Sequence, residues 1–210
     1  MSRTPIALAT AVAVAALAAA ADPPGSPRSN ESLAICARAG KTRDDKTKRD
    51  LLAQGLAAAE EAVATDEHDA KAHFAVFCNL GREMRMRGVS LASLTGVRRL
   101  RREIDRTLEL APDWSDALVA KGEFLLEVPG FLGGDRDESE RLLRAALRID
   151  PDFIEAHLAL ARALDARHAR DDARAEARRA LELAEHDGNA DKAAEAKELL
   201  ARFGGGGDHS

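Results

Sequence analysis

Hydrophobic and polar positions follow a helical period along most of the chain. Val97, Leu100, Ile104 and Leu108 recur at spacings of three and four residues, which places them on one face of a helix. Comparable stretches are separated by short runs that contain Pro, Gly or Asp, residues that end one helix and begin the next. The pattern predicts an all-α domain over residues 31–203, followed by a flexible tail at 204–210.

The helical pattern is also repeated. If Ile154 takes position 1 of a frame of about 34 residues, Ala161, Ala173 and Ala180 fall at positions 8, 20 and 27. Small residues at these positions allow two helices to approach closely. Pro151 falls at position 32 of the preceding unit, where it ends the connection between helices. This spacing resembles the tetratricopeptide repeat family.

The same frame occurs upstream with longer connections. Ser115 takes position 1 of one unit and Ala70 position 1 of another, and Ile154 follows Ser115 by 39 residues. The excess falls in the turn VPGFLGGD at 128–135, where glycines supply backbone conformations that other residues avoid. Asp135 is predicted to cap the next helix, with Glu138 three residues later as in a capping box.

The turn at 128–135 has two interpretations. It is a structural link with Phe131 or Leu132 packed on the hairpin, or it is a loop that contacts a partner. No Gly-Lys-Ser/Thr follows the glycines, so a phosphate-binding loop is not indicated. A Pro followed by Gly-Gly-Asp inside one repeat resembles exported bacterial repeat proteins related to the T component of TRAP transporters, and regulator-of-microtubule-dynamics-like proteins.

The family resemblance implies a tetratricopeptide-like α-solenoid in which the first helix of each hairpin lines a groove. Carried over by position, the resemblance gives ten groove residues: Lys71, Phe74, Arg82, Asp116, Val119, Glu123, Glu155, Leu158, Arg162 and Asp165. It implies a scaffold that binds a protein or peptide partner in this groove. The alternative is a periplasmic accessory protein that binds a small solute for a transporter.

Composition agrees with a helical, non-nucleic-acid-binding protein. The chain of 210 residues is 45% hydrophobic and 32% charged, with 3% aromatics and a net charge of −5. Arginines concentrate in the segment Arg82–Arg106, which could meet anionic lipid or an acidic partner. The alternative is a solvated face with local ion pairs. Membrane contact is expected only through this segment or through an uncleaved signal sequence.

The first 21 residues have the character of a signal peptide. Arg3 precedes an uncharged apolar run that ends in alanines, and residues 22–30 follow as a linker. Export to the periplasm or beyond is expected, with an uncleaved anchor helix as the alternative. In an exported protein Cys36 and Cys78 are candidates for a disulfide, and otherwise they are small buried side chains.

No residue pattern indicates an enzyme. His68, Asp69 and His73 cluster near a helix start, but a third strong ligand is missing, and packing or capping roles explain them equally. No serine stands in a Gly-x-Ser-x-Gly motif. We therefore predict no catalytic residues, no cofactor and no bound metal.

Overall fold

A computed structural model describes residues 22–88 and 93–204. This part of the chain forms α-helices joined by short links, and it contains no strand. The helices are α1 Pro27–Lys41, α2 Asp45–Thr65, α3 Ala70–Arg87, α4 Ser93–Leu110, α5 Ser115–Glu127, α6 Arg136–Ile149, α7 Ile154–Ala166, α8 Arg170–His186 and α9 Ala190–Gly204. The all-α prediction is confirmed. Within the described ranges no helix combines the length and apolar character that crossing a membrane requires.

The helices stack as hairpins in chain order. Each helix packs on the next, and α1 also contacts α3, α5 contacts α7 and α7 contacts α9. The odd-numbered helices therefore form one layer, which we call the inner layer, and the even-numbered helices form the other. This is the two-layered arrangement of a helical solenoid, in which each unit contacts its neighbours.

The predicted N-terminal linker is too long, because α1 begins at Pro27 and not after residue 30. Proline is tolerated in the first helical turn, where its missing N–H has no intrahelical acceptor. The Ser26 side chain caps the helix by accepting a hydrogen bond from the Ser29 N–H. At the other end Gly204 belongs to α9, so the tail is shorter than predicted. The predicted signal peptide and residues 205–210 lie outside the described residues.

Alanine forms the contact between the two layers. Ala161, Ala173 and Ala180, the residues that define the repeat frame, are fully buried in one hydrophobic cluster. Their small side chains let the helix backbones approach closely, as the frame predicts. Leu199 and Phe203 of α9 belong to the same cluster and cover its end. The repeat pattern is thus confirmed.

Buried hydrogen bonds hold the first three helices together. The Asn79 side chain of α3 donates to the Ser32 hydroxyl of α1 at 3.1 Å and to the Ala75 carbonyl at 2.8 Å. Ser32 in turn donates to the Gly55 carbonyl of α2 at 2.7 Å. Polar groups removed from water are expensive unless they are paired, so this chain of bonds specifies how α1, α2 and α3 meet.

The turn between α5 and α6 needs glycine at two positions for its backbone conformation, and its tip is exposed to solvent. Gly133 has φ of 95°, and a Cβ on Gly134 would lie 1.7 Å from the Val128 carbonyl oxygen. The Asp135 side chain accepts from the N–H groups of Asp137 and Glu138, so the predicted cap is present. Of the two residues predicted to pack on the hairpin, Phe131 does not, because it is 87% exposed on a 3-10 turn, Gly130–Leu132, whereas Leu132 is half-buried.

Candidate functional site

A groove with a volume of about 320 Å³ runs along the inner layer. Side chains from α3, α5, α7 and α9 line it, together with Phe153, which precedes α7. We call this the central groove. Its lining residues are Phe74, Arg82, Asp116, Val119, Ala120, Glu123, Phe153, Glu155, Arg162, Lys192 and Glu195.

Seven of the ten predicted groove residues line the central groove. They come from three different repeat units: Phe74, Arg82, Asp116, Val119, Glu123, Glu155 and Arg162. The helical frame brings them together because equivalent positions of successive hairpins stack along the inner layer. The structure therefore joins residues that are separated by up to 88 positions in the sequence.

The other three predicted residues do not contribute in the same way. Leu158 is a correction: it is completely buried in the cluster that α7 and α9 share, so it cannot contact a partner. Lys71 pairs with Asp22 at 2.5 Å, and its side chain is only 11% exposed. Asp165 pairs with Arg202 at 3.4 Å, away from the groove lining.

The floor of the central groove is apolar, and its side chains are mostly buried against other residues of the protein. The Phe74 ring lies 4.4 Å from the Trp114 ring, centroid to centroid. Phe74 and Val119 are both buried, with 9% and 5% exposure. The groove consequently offers a partner mainly polar atoms above a thin apolar base.

Arg162 ties three helices together in the centre of the groove. Its guanidinium donates to Glu123 of α5 at 2.5 Å and to Glu195 of α9 at 2.7 Å. Burial lowers the pKa of Arg162, but the two carboxylates outweigh it and the pKa is raised. The arginine is therefore permanently charged and held in a fixed position, because each acid restricts its rotation.

The contribution of α9 was missed from the sequence. Lys192 lies 3.6 Å from Glu155 and 3.1 Å from Glu195, so it extends the charged wall of the groove. Continuing the frame of about 34 residues beyond Ile154 places Lys192 at position 5, the position of Phe74 and Val119, and this signal could have found it.

Asp116 is the acid of the groove that has no cation beside it. It forms no ion pair with any residue in the described ranges, whereas Glu123, Glu155 and Glu195 all do. Burial raises the pKa of Asp116 against the opposite effect of the Trp114 side chain, and the carboxylates of Asp22 and Glu155 raise it further. A positively charged group of a partner would relieve this repulsion, so Asp116 marks a point where such a group is favoured.

The two buried histidines have structural partners. Nδ1 of His73 lies 2.8 Å from the Glu103 carboxylate, and Nε2 lies 3.1 Å from the Glu67 carbonyl oxygen. His157 repeats this geometry one unit later, with Glu176 at 2.6 Å and the Pro151 carbonyl at 3.0 Å. Both ring nitrogens face acceptors, so neither is available to a metal ion.

The basic segment is largely neutralised by local ion pairs where the structure describes it. Arg85 pairs with Glu127 at 3.1 Å and Arg99 with Glu60 at 2.6 Å. Arg98 and Arg102 are exposed on α4 and form no ion pair with a described residue. The described part of the segment is thus mostly a solvated face with local ion pairs, on which Arg98 and Arg102 are exposed without a described acidic partner, and this agrees with the alternative interpretation.

Comparison with solved structures identifies the fold. MamA (residues 41 to the end) from Desulfovibrio magneticus RS-1 has a TM-score of 0.52 at 16% identity, with 89% of this chain and 100% of that chain covered. A MamA RS-1 double mutant has a TM-score of 0.51 at 16% identity, covering 86% and 97%. TTC0263, a thermophilic TPR protein in Thermus thermophilus, has a TM-score of 0.54 at 16% identity, covering 84% and 97%.

These likenesses show a tetratricopeptide-like α-solenoid, which confirms the predicted fold class. At 16% identity they establish the fold alone. No protein-family model matches the sequence, and the comparison with curated proteins finds no match.

Proposed function

We propose that this protein is an exported, non-enzymatic scaffold that binds an extended segment of a partner protein in the central groove. The observation that carries the proposal is the convergence of side chains from α3, α5, α7 and α9 on one open groove. A tetratricopeptide-like fold suits this role, because stacked hairpins present a continuous surface along which a peptide can lie. The apolar run after Arg3 supports export.

The charges of the groove indicate the chemistry of the partner segment. Glu123 and Glu195 are already neutralised by Arg162, and Glu155 by Lys192. Asp116 is not neutralised by any described cation. A lysine or arginine of the partner therefore makes its most favourable electrostatic interaction beside Asp116. On a polar surface of this kind, the positions of the charged groups select the partner more than the area that binding buries.

The turn at Pro129–Asp135 supports a narrower proposal. It lies between the two helices of one hairpin, and its Pro and Gly-Gly-Asp resemble the exported repeat proteins related to the TRAP transporter T component and regulator-of-microtubule-dynamics-like proteins. We propose kinship with one of these groups. Delivery of a small solute to a transporter is the corresponding second hypothesis, and the same experiment distinguishes it.

The experiment begins with full-length, C-terminally tagged protein in an exporting host. Chemical crosslinking in the envelope identifies a recurrent partner, which is then purified and titrated against three forms: wild type, Asp116→Asn and Asp172→Asn. Asp172 is a matched control because it is an exposed aspartate on α8, outside the groove, and forms no ion pair with a residue that the structure describes.

We expect Asp116→Asn to weaken binding at least about fivefold, about 1 kcal/mol, and Asp172→Asn to leave it unchanged. Equal affinities for all three forms would contradict the groove proposal. A small molecule retained by the purified protein in native mass spectrometry, with no protein partner captured, would favour the solute hypothesis instead.

A further inference from the structure

Two cysteine thiols from different hairpins lie together beside the central groove. Cys36 of α1 is 4% exposed and belongs to a cluster with Ala39 and Leu52, and Cys78 of α3 packs against that cluster. The two cysteines therefore pack in one cluster, and both are reduced in this structure. They are separated by 42 positions in the sequence, so only the stacking of α1 on α3 brings them together.

Arg82 connects this thiol pair to the central groove. It stands one helical turn after Cys78 on α3 and lines the groove. It also lines a second cavity of about 170 Å³, together with other residues of α3 and with residues of the first hairpin, among them Gly40 and Leu52. No described carboxylate forms an ion pair with Arg82, and its guanidinium lies against α1, where a Cβ on Gly40, one helical turn after Cys36, would stand 3.1 Å from the nearest guanidinium nitrogen.

We infer that Cys36 and Cys78 form a peroxide-sensitive dithiol, in which Cys36 is the nucleophile, Cys78 the resolving thiol and Arg82 the group that supports the Cys36 thiolate. This assignment is independent of the groove proposal.

The ionisation of the pair agrees with this geometry. A hydrogen bond from the Cys78 thiol lowers the pKa of Cys36 to about 7, and the Arg82 guanidinium contributes in the same direction against the effect of burial. The pKa of Cys78 is raised well above its ordinary value by the same hydrogen bond and by burial. Near neutral pH one thiol is therefore ready to react as a thiolate while its neighbour keeps its proton.

The reaction balances with hydrogen peroxide as the oxidant. The Cys36 thiolate attacks one peroxide oxygen, which gives Cys36 sulfenic acid and releases hydroxide, and this hydroxide becomes water by taking up the proton that Cys36 lost on ionisation. Cys78 then attacks the sulfenic sulfur, the S–S bond forms, and the hydroxyl leaves as water with the Cys78 proton. Two thiols and one peroxide become one disulfide and two waters. A small oxidant suits a thiol with so little exposure.

Oxidation has a consequence for the groove. A disulfide carries no negative charge, so Arg82 loses its partner and becomes available to an anionic group in the central groove. The bond also fixes α1 to α3 covalently, which joins the first hairpin to the rest of the array. The redox state of the dithiol is thereby coupled to the charge that the groove presents.

The test uses the purified, reduced, full-length protein treated with hydrogen peroxide. We expect the intact mass to fall by two hydrogen atoms in a monomer, with a Cys36–Cys78 crosslinked peptide in the digest. In Cys78→Ser the reaction should stop at a sulfenic acid on Cys36, trapped by dimedone, and in Cys36→Ser Cys78 should stay a thiol. A natively folded wild-type protein that keeps both thiols, or that forms only intermolecular disulfides, would overturn the inference.

The role of Arg82 is tested by the pH profile of Cys36 alkylation in Cys78→Ser backgrounds. Arg82→Met should move the midpoint of the profile to higher pH, and Arg82→Lys should restore part of the shift because the positive charge is kept. An unchanged midpoint in Arg82→Met would show that the arginine packs beside the thiol without supporting its thiolate.

Discussion

Deprotonation of the paired histidines should weaken the fold as pH rises. In both sites Nδ1 faces a carboxylate and Nε2 faces a backbone carbonyl, and these two groups only accept hydrogen bonds. Both ring nitrogens must donate to satisfy this geometry, so each ring can form both hydrogen bonds only as an imidazolium. When protonated, His73 and His157 therefore join the two helices of their hairpins through charged hydrogen bonds.

The sign of the pH dependence follows from the pKa of each histidine. Glu103 raises the pKa of His73 against the effects of burial and of Arg106. Burial lowers the pKa of His157, but Glu176 and the Pro151 carbonyl outweigh it and Arg179, so it too is raised. The contribution of both histidines to the free energy of unfolding is fully present below their unfolded-state pKa of about 6.5. It is lost as the pH rises through their higher folded-state pKa values.

The magnitude comes from the hydrogen bonds and from linkage. Both histidine side chains are 10% exposed, so their bonds are little screened by water. A hydrogen bond to a charged group contributes about 1.5–3 kcal/mol, and each unit between the folded and unfolded pKa contributes about 1.4 kcal/mol. We expect the free energy of unfolding to fall by about a few kcal/mol as both histidines lose their protons.

The assay is urea unfolding, followed by far-UV circular dichroism, at several pH values between about 5.5 and 8.5, a range that brackets the unfolded histidine pKa. The wild-type free energy of unfolding should fall with pH, and the His73→Gln/His157→Gln variant should show a flatter profile. His186→Gln is the control, because His186 is 87% exposed and should leave the profile unchanged. Parallel profiles for wild type and the double variant would refute the imidazolium assignment.

Three further substitutions test the packing, each by the same urea unfolding assay. Gly134→Ala should cost at least about 1–3 kcal/mol, because its Cβ would meet the Val128 carbonyl, while Phe131→Ser in the same exposed turn should stay within about 0.5 kcal/mol. Asn79→Ala should cost about 1–3 kcal/mol, because it removes two buried hydrogen bonds, one of them between α1 and α3; a neutral result would show that these bonds do not specify the hairpin contact. Arg162→Met should cost about 1–2 kcal/mol by leaving Glu123 and Glu195 facing each other, whereas Arg178→Met, an exposed arginine on α8, should be neutral. Equal stability of the two arginine variants would mean that Arg162 does not bind the helices together.

The fold could be predicted because its information is local and periodic. Alanines at repeat positions 8, 20 and 27 have few alternatives to a close helix contact, and the structure buries all three completely. The cap at Asp135 is equally local, since its side chain bonds N–H groups two and three residues ahead. The start of α1 was misplaced because a proline that opens a helix resembles, in sequence, a proline that ends a linker.

The groove could be predicted only in part, because its details depend on contacts across units. The repeat frame treats Val119 and Leu158 alike, but α9 packs on α7 and leaves Leu158 in the core. The bond from Arg162 to Glu195 spans 33 residues and depends on where α9 lies. Exposure of Phe131 likewise depends on whether a short turn reaches the hairpin surface, which spacing does not determine.

The central claim is that a partner segment lies in the groove of the inner layer, and site-specific photo-crosslinking tests it most directly. A benzophenone amino acid replaces Glu155, which lines the groove and is 44% exposed, or Arg178, which is exposed on α8 in the other layer. We predict that light links the partner to the Glu155 position and not to the Arg178 position. Crosslinks at Arg178 alone, or at both positions with equal yield, would contradict binding in the central groove.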